Sequence, residues 1–259
     1  MTITADKNII QEYKIGEGIP EYRKSWEEAD SILLSNPKSG STWLRFCIEF
    51  LSQRPTIGWS HEQVTSLACI DLPLLKQVEC EKFNGFINDK FILAKTHEVG
   101  NFGPTKLILL LRNYKELISR PVYDLDASKR PLSSSDASDI IDQYVEKLTF
   151  YENFEGEKII IYYEDLIKDF KSVMINLIDF LGLGDTGHSN LECFLKNFSE
   201  LKSLSIDSYK KLPHIRVRPF IDETGEVNKF LGPKYHRATG CLSDCECSRC
   251  EDARANFNK

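Results

Sequence analysis

Two short runs constrain this chain more than any other feature. "KLILLLR", Lys106–Arg112, and "KIIIYYE", Lys158–Glu164, are almost unbroken stretches of Leu, Ile and Tyr. Neither alternates apolar with polar, so neither has a side that suits water. Apolar runs of this length without a polar face are expected of strands buried on both faces, as in a parallel sheet covered by helices above and below. Ile32–Ser35 and Phe91–Lys95 are two further strand candidates. Between the strands lie stretches at helical spacing: Gly40–Gln53, Tyr114–Leu125, Ala137–Asn153 and Glu164–Leu181, the last ending in the glycine stop of "DFLGLG". Alternation of this kind predicts an α/β fold, a central parallel sheet flanked by helices and joined by right-handed crossovers. Ligands of such folds bind beyond the carboxyl ends of the strands. Three segments rich in chemistry fall there: Pro37–Trp43, Lys95–His97 and Arg112–Arg120.

The chain has 259 residues, 41% of them hydrophobic, which is within reach of one α/β domain. A net charge of −6 opposes a broad nucleic-acid-binding face but leaves room for a local basic pocket. The first residues carry acids and lack the apolar core of a secretory signal, and no window approaches a membrane span. A cytoplasmic protein without nucleic-acid or membrane partners is expected. Cys47, Cys69, Cys80 and Cys193 are scattered and read as reduced thiols. Ala127–Ser138 is expected to be a flexible loop. From about Ser205 onward the pattern reads as irregular.

The string "SILLSNPKSGSTWLRF", Ser31–Phe46, runs from a strand through a glycine loop into a helix. Such a junction presents backbone N–H groups and the positive end of the helix dipole to an anion. Ser39, Ser41 and Thr42 add hydroxyls and Lys38 adds a full charge. A nucleotide-hydrolysing loop would place lysine after its second glycine; here Lys38 precedes Gly40. The strand "LILLLRN" ends in arginine, where a magnesium-binding acid would be needed. The anion site therefore reads as metal-free.

Pro37-Lys38-Ser39-Gly40-Ser41-Thr42-Trp43 resembles the 5′-phosphosulfate loop of sulfotransferases that use 3′-phosphoadenosine 5′-phosphosulfate (PAPS). The resemblance implies a P-loop-like sulfotransferase fold, with residues Lys38–Thr42 around the phosphosulfate and Trp43 on the adenine. Lys95-Thr96-His97 is similar to the family segment in which histidine is the general base and lysine assists at the sulfonate. Independently, a histidine just past a buried strand can take a proton near neutral pH.

"LILLLRNYKELISR" resembles the 3′-phosphate segment, in which Arg112 would clamp the phosphate. The family's helix serine is expected eight residues after that arginine. Arg120 stands there instead, with Ser119 one residue earlier. Tyr163 within "YYEDL" and Phe198 within "NFSEL" match segments near the adenine, and Arg216 or Arg218 would reach the 3′-phosphate. The resemblance thus implies transfer of a sulfuryl group from PAPS to a small-molecule acceptor, with adenosine 3′,5′-bisphosphate as product and no catalytic metal. An ATP-dependent small-molecule kinase and an inactive PAPS-binding module are the rival readings.

Residues 1–259 are expected to form one sulfotransferase domain, with an extension over 1–30 and a cysteine-rich tail over 236–259. Cys241, Cys245, Cys247 and Cys250 are weak candidates for zinc or disulfides, because the spacing holds only one Cys-x2-Cys pair. Asp71, Glu79, Asp222 and Glu223 would suit a cationic acceptor.

Overall fold

The computed structural model describes residues 28–58, 73–78, 80–100, 102–113, 117 and 134–210. Five parallel strands form one sheet: β1 Ser31–Ser35, β2 Thr56–Gly58, β3 Leu93–Thr96, β4 Lys106–Leu111 and β5 Glu157–Tyr162, in the spatial order β2-β3-β1-β4-β5. The first strand is therefore the middle one. Ile32 pairs with Ala94 on one side and with Leu107 on the other. Ser31 is tolerated at this fully buried position because its hydroxyl donates to the Ile92 carbonyl at 2.7 Å.

Helices α1 Ser41–Ser52, α2 Ser134–Asn153, α3 Tyr163–Lys168, α4 Phe170–Leu181, α5 Gly184–Lys196 and α6 Phe198–Lys210 complete the described part. Alternate strand residues point to opposite faces, and each face has its own core. Leu33, Leu93, Ile108, Leu110 and Ile161 pack with residues of α1, α3, α4, α5 and α6. Ile32, Leu34, Ala94, Leu107, Leu109 and Leu111 pack with Ile141 and Tyr144 of α2. That two-sided burial is why "KLILLL" contains no polar residue after its lysine.

Helix α1 is buried nearly all round and carries two charged residues inside. The Glu49 carboxylate accepts from the Thr56 backbone N–H at 3.0 Å, the Thr56 hydroxyl, and the Leu75 N–H at 2.6 Å. Arg45 Nε donates to the Thr56 hydroxyl at 3.0 Å. This network fastens edge strand β2 and the 73–78 segment to α1. Burial pushes the Glu49 carboxyl up, against the pull of the Arg45 charge and these hydrogen bonds.

Several expectations change. Strand β2 was not anticipated; its three residues are too few for a pattern. The helix expected over Glu164–Leu181 is two helices, broken at Asp169, whose carboxylate caps the second by accepting from Ser172 N at 3.2 Å. The supposed irregular stretch from Ser205 is helical through Lys210, and the expected loop over Ala127–Ser138 gives way to α2 at Ser134. The helix expected over Tyr114–Leu125 lies outside the described residues except at Leu117.

Candidate active site

β1, β3, β4 and β5 each carry a residue of interest just beyond their carboxyl ends, so parallel register brings these residues to one edge of the sheet. From β1 the chain turns tightly: Ser39 donates to the Asn36 carbonyl through its backbone at 3.3 Å and through its hydroxyl at 2.6 Å. That bond uses the hydroxyl proton of Ser39, so its side chain shapes the turn. Lys38 and Gly40 both take positive φ, 67° and 95°. The lysine is thus held in a backbone conformation that ordinary residues seldom adopt.

Gly40 leads directly into α1. No side chain caps this N-terminus and its first turn contains no acid. Leu44 N–H is bonded to the Gly40 carbonyl at 3.1 Å, while the earlier N–H groups of a helix have no partner within it. Ser41, Thr42 and Trp43 therefore aim backbone donors, together with the positive end of the helix, at the space before the loop.

Tyr163, the first residue of α3, closes one side of this loop. A Cβ on Gly40 would lie 2.6 Å from two atoms of the Tyr163 ring, so glycine is required there by space as well as by φ. Arg112, buried at the end of β4, stacks its guanidinium 3.9 Å from the centre of that ring. It also donates from Nη1 to the Lys38 carbonyl at 3.3 Å. One arginine thus ties together three of the strand-end segments. Next to it, Asn113 N–H donates to Glu164 Oε1 at 2.9 Å, while the buried Oε2 of Glu164 has no hydrogen-bond partner.

His97 follows β3 and is partly buried. Its Nδ1 lies 2.7 Å from the Ser35 carbonyl and 3.3 Å from the Ser35 hydroxyl. A carbonyl oxygen can only accept, so Nδ1 carries the proton and Nε2 keeps its lone pair. The ring is aimed by a tight turn in which the Thr96 hydroxyl accepts from Glu98 N–H at 3.0 Å. Burial and the nearby charges of Lys95, Lys147 and Lys38 hold the imidazole well below its ordinary pKa, outweighing the Ser35 bond. His97 is accordingly neutral at pH 7.

Trp43 and Phe198 come from α1 and α6, far apart in sequence, and meet edge to face with ring centroids 6.1 Å apart. The tryptophan also stacks on Phe46 at 5.9 Å and touches Phe170 and Phe194. Both rings are only partly buried. They form an aromatic wall on the α1 side of the loop.

Ser119, Arg120, Arg216, Arg218 and the four tail cysteines lie outside the described residues, as do Asp71, Glu79, Asp222 and Glu223. Two residues were missed in the sequence. Glu164 gave no local signal. Lys147 did: it lies three residues after Tyr144 on the face of α2 that meets the core. Among the described residues, no group of three or more His, Cys, Asp or Glu is placed to hold a metal ion. No helix among them is long and apolar enough to cross a membrane.

A glycine loop at a helix start, a neutral histidine and a stacked arginine thus come together at adjoining strand ends of an α/β sheet. The chain belongs to the sulfotransferase domain family, whose model matches residues 28–234. A comparison with curated proteins gave no match. Among solved structures, mouse sulfotransferase SULT7A1 complexed with PAP is 21% identical over 70% of this chain and 71% of that chain, with a TM-score of 0.35.

Proposed function

We propose that the protein transfers a sulfuryl group from PAPS to a hydroxyl or amine of a small-molecule acceptor, with His97 as general base. The observation that carries this reading is the bond from His97 Nδ1 to the Ser35 carbonyl at the end of β1, which leaves Nε2 unprotonated. The donor set suits PAPS. The acid-free start of α1, Lys38 and the backbone of Ser39, Gly40, Ser41 and Thr42 would hold the phosphosulfate. Arg112 would hold the 3′-phosphate, with Ser119 or Arg120 and one of Arg216 and Arg218 as further contacts. Trp43, Phe198 and Tyr163 offer aromatic surface to the adenine.

PAPS supplies the sulfuryl group, and adenosine 3′,5′-bisphosphate is the product. His97 Nε2 takes the proton of the acceptor as its oxygen or nitrogen attacks, and the Ser35 carbonyl steadies the imidazolium that forms. Lys38 steadies negative charge on the leaving oxygen and Lys95 on the sulfonate oxygens. Much of the acceleration comes from holding the reactants in line. No step calls on a metal. On this reading residues 1–259 act in the cytoplasm as one domain, with an extension over 1–30 and a cysteine-rich tail over 236–259.

The test is transfer from radiolabelled PAPS to a panel of alcohols, phenols and amines, run beside His97→Ala. Transfer that collapses in the variant supports the reading. Tight PAPS binding without transfer to any acceptor identifies a binding module, and preference for ATP over PAPS identifies a kinase.

A further inference from the structure

The loop before α1 begins as a tight turn over Asn36, Pro37, Lys38 and Ser39, closed by the bond from Ser39 N–H to the Asn36 carbonyl at 3.3 Å. A proline ring fixes φ near about −65° at the first central position. With Lys38 at 67° in the second, the turn is type II. That position ordinarily takes glycine, because a side chain there crowds its own backbone. By itself Asn36-Pro37-Lys38 suits the commoner type I turn, in which φ at the second position is about −90° and a lysine is unstrained. Contacts from outside the turn therefore hold Lys38 where it is.

Arg112 supplies such a contact. Its Nη1 donates to the Lys38 carbonyl at 3.3 Å, from the end of β4 to the loop that follows the neighbouring β1. Arg112 is buried, and its guanidinium lies 3.9 Å from the centre of the Tyr163 ring, so it has little freedom to follow the carbonyl if the turn relaxes. The same ring closes on Gly40, the second left-handed residue of the loop. Beyond the Lys38–Ser39 peptide, the Ser39 hydroxyl donates to the Asn36 carbonyl at 2.6 Å. A charged donor on one side and a buried hydroxyl on the other thus hold this peptide in one orientation. The backbone of Lys38 sets the direction in which its side chain leaves the turn. Backbone strain of this kind persists only where the surroundings over-determine it, as at sites where the direction of a group matters.

We infer that Arg112 is a positioning residue for Lys38: by holding the lysine carbonyl it keeps the strained turn in place and so aims the ammonium at the oxygen that leaves the sulfuryl group. This rests on the sulfotransferase reading above, and it gives Arg112 a part in the chemical step besides holding the 3′-phosphate. Loss of the arginine then slows turnover even when the donor saturates.

The full-length protein is assayed with radiolabelled PAPS and the fastest acceptor of the alcohol, phenol and amine panel. Arg112→Met, and Arg112→Lys, which keeps the charge but not the planar fork, should each lower kcat at saturating PAPS by about tenfold to a hundredfold. In a Lys38→Met background, adding Arg112→Met should change kcat by less than about threefold, because the two residues act as a unit. Adenosine 5′-phosphosulfate, which has no 3′-phosphate, should bind Arg112→Met about threefold to tenfold more weakly than wild type. Raised KM for PAPS with kcat within about twofold, full multiplication of the two kcat losses in the double variant, or wild-type affinity of Arg112→Met for adenosine 5′-phosphosulfate would each overturn the inference. So would binding of adenosine 3′,5′-bisphosphate but not adenosine 5′-phosphosulfate by the wild type, since the loop would then not be formed for its anion beforehand. Failure of both single variants to melt cooperatively would mark Arg112 as a fastening of the fold alone and overturn it too. Absence of transfer from PAPS to any acceptor by the wild type would overturn the sulfotransferase reading itself, and the inference with it.

Discussion

The guanidinium of Arg112 lies 3.9 Å from the centre of the Tyr163 ring, and that ring in turn rests against Gly40. The tyrosine therefore orients the arginine and confines the Lys38–Thr42 loop at once. A contact of this kind is worth about 0.5–2 kcal/mol. Tyr163→Phe should keep donor affinity within about twofold, since the ring face remains. Tyr163→Ala should weaken adenosine 3′,5′-bisphosphate binding by about twofold to thirtyfold, the range that energy implies. Isothermal titration checks both, and equal affinities for the two variants would show that the ring does not orient Arg112.

Gly40→Ala meets two obstacles, a φ of 95° and a ring 2.6 Å from the new Cβ. Left-handed backbone costs a non-glycine residue about 1–2 kcal/mol, and overpacking against the ring adds about 1–3. The variant should melt several degrees lower and lose most of its donor binding. Wild-type melting and affinity in Gly40→Ala would contradict the close approach of Tyr163.

The depressed pKa of His97 sets the pH response. If His97 is the general base proposed above, it is active when neutral, so kcat/KM should stay level above pH ~6.5, the ordinary histidine value, with an acid limb displaced to lower pH. His97→Ala should reduce kcat by about 10²–10⁴-fold and remove the limb. Stability follows the same sign. The unfolded chain protonates this histidine first, so stability falls as pH drops below about 6.5 until the folded-state pKa is passed. A pH–rate profile with its limb above pH ~7 would refute this assignment.

Glu49→Ala would leave the Thr56 and Leu75 N–H groups and the buried Arg45 without their carboxylate. Breaking a buried charged network from one side costs about 3–5 kcal/mol. Thermal unfolding should show a large loss, with Glu49→Gln intermediate because its amide oxygen can still accept. A change under about 0.5 kcal/mol, typical of a surface site, would mean that the network does not hold β2.

The sheet was legible where burial is two-sided. In Leu107–Leu111 every side chain meets a core, so composition alone marks the strand. Thr56–Gly58 is an edge strand held by Glu49, a distant carboxylate, and no local pattern reveals it. The break at Asp169 was hidden because apolar residues continue at helical spacing on both sides of it. Helix α6, "FSELKSLSIDSYK", has four serines and a weak apolar stripe, so it looked irregular until packing on α1 and α5 decided it. The site was read in pieces because Lys38–Trp43, Lys95–His97 and Arg112 are contiguous segments at strand ends. Contacts between pieces, such as Tyr163 on Gly40 or Trp43 on Phe198, depend on the fold and leave no trace in local spacing.

The central position of β1 has a consequence for how the molecule assembles. Ser31 finds its partner at Leu93, Ile32 its second at Leu107, and β4 its outer neighbour in Glu157–Tyr162. The strand synthesised first among these must wait for two others made much later. Its register is written entirely in distant contacts, a topology that folds slowly and leaves apolar edges uncovered meanwhile. The loop that would hold the donor hangs from that strand. A nascent chain ending before β4 has its anion loop in sequence but no Arg112 to tie it, so competence to bind should arise late, once the sheet has closed on both sides of β1.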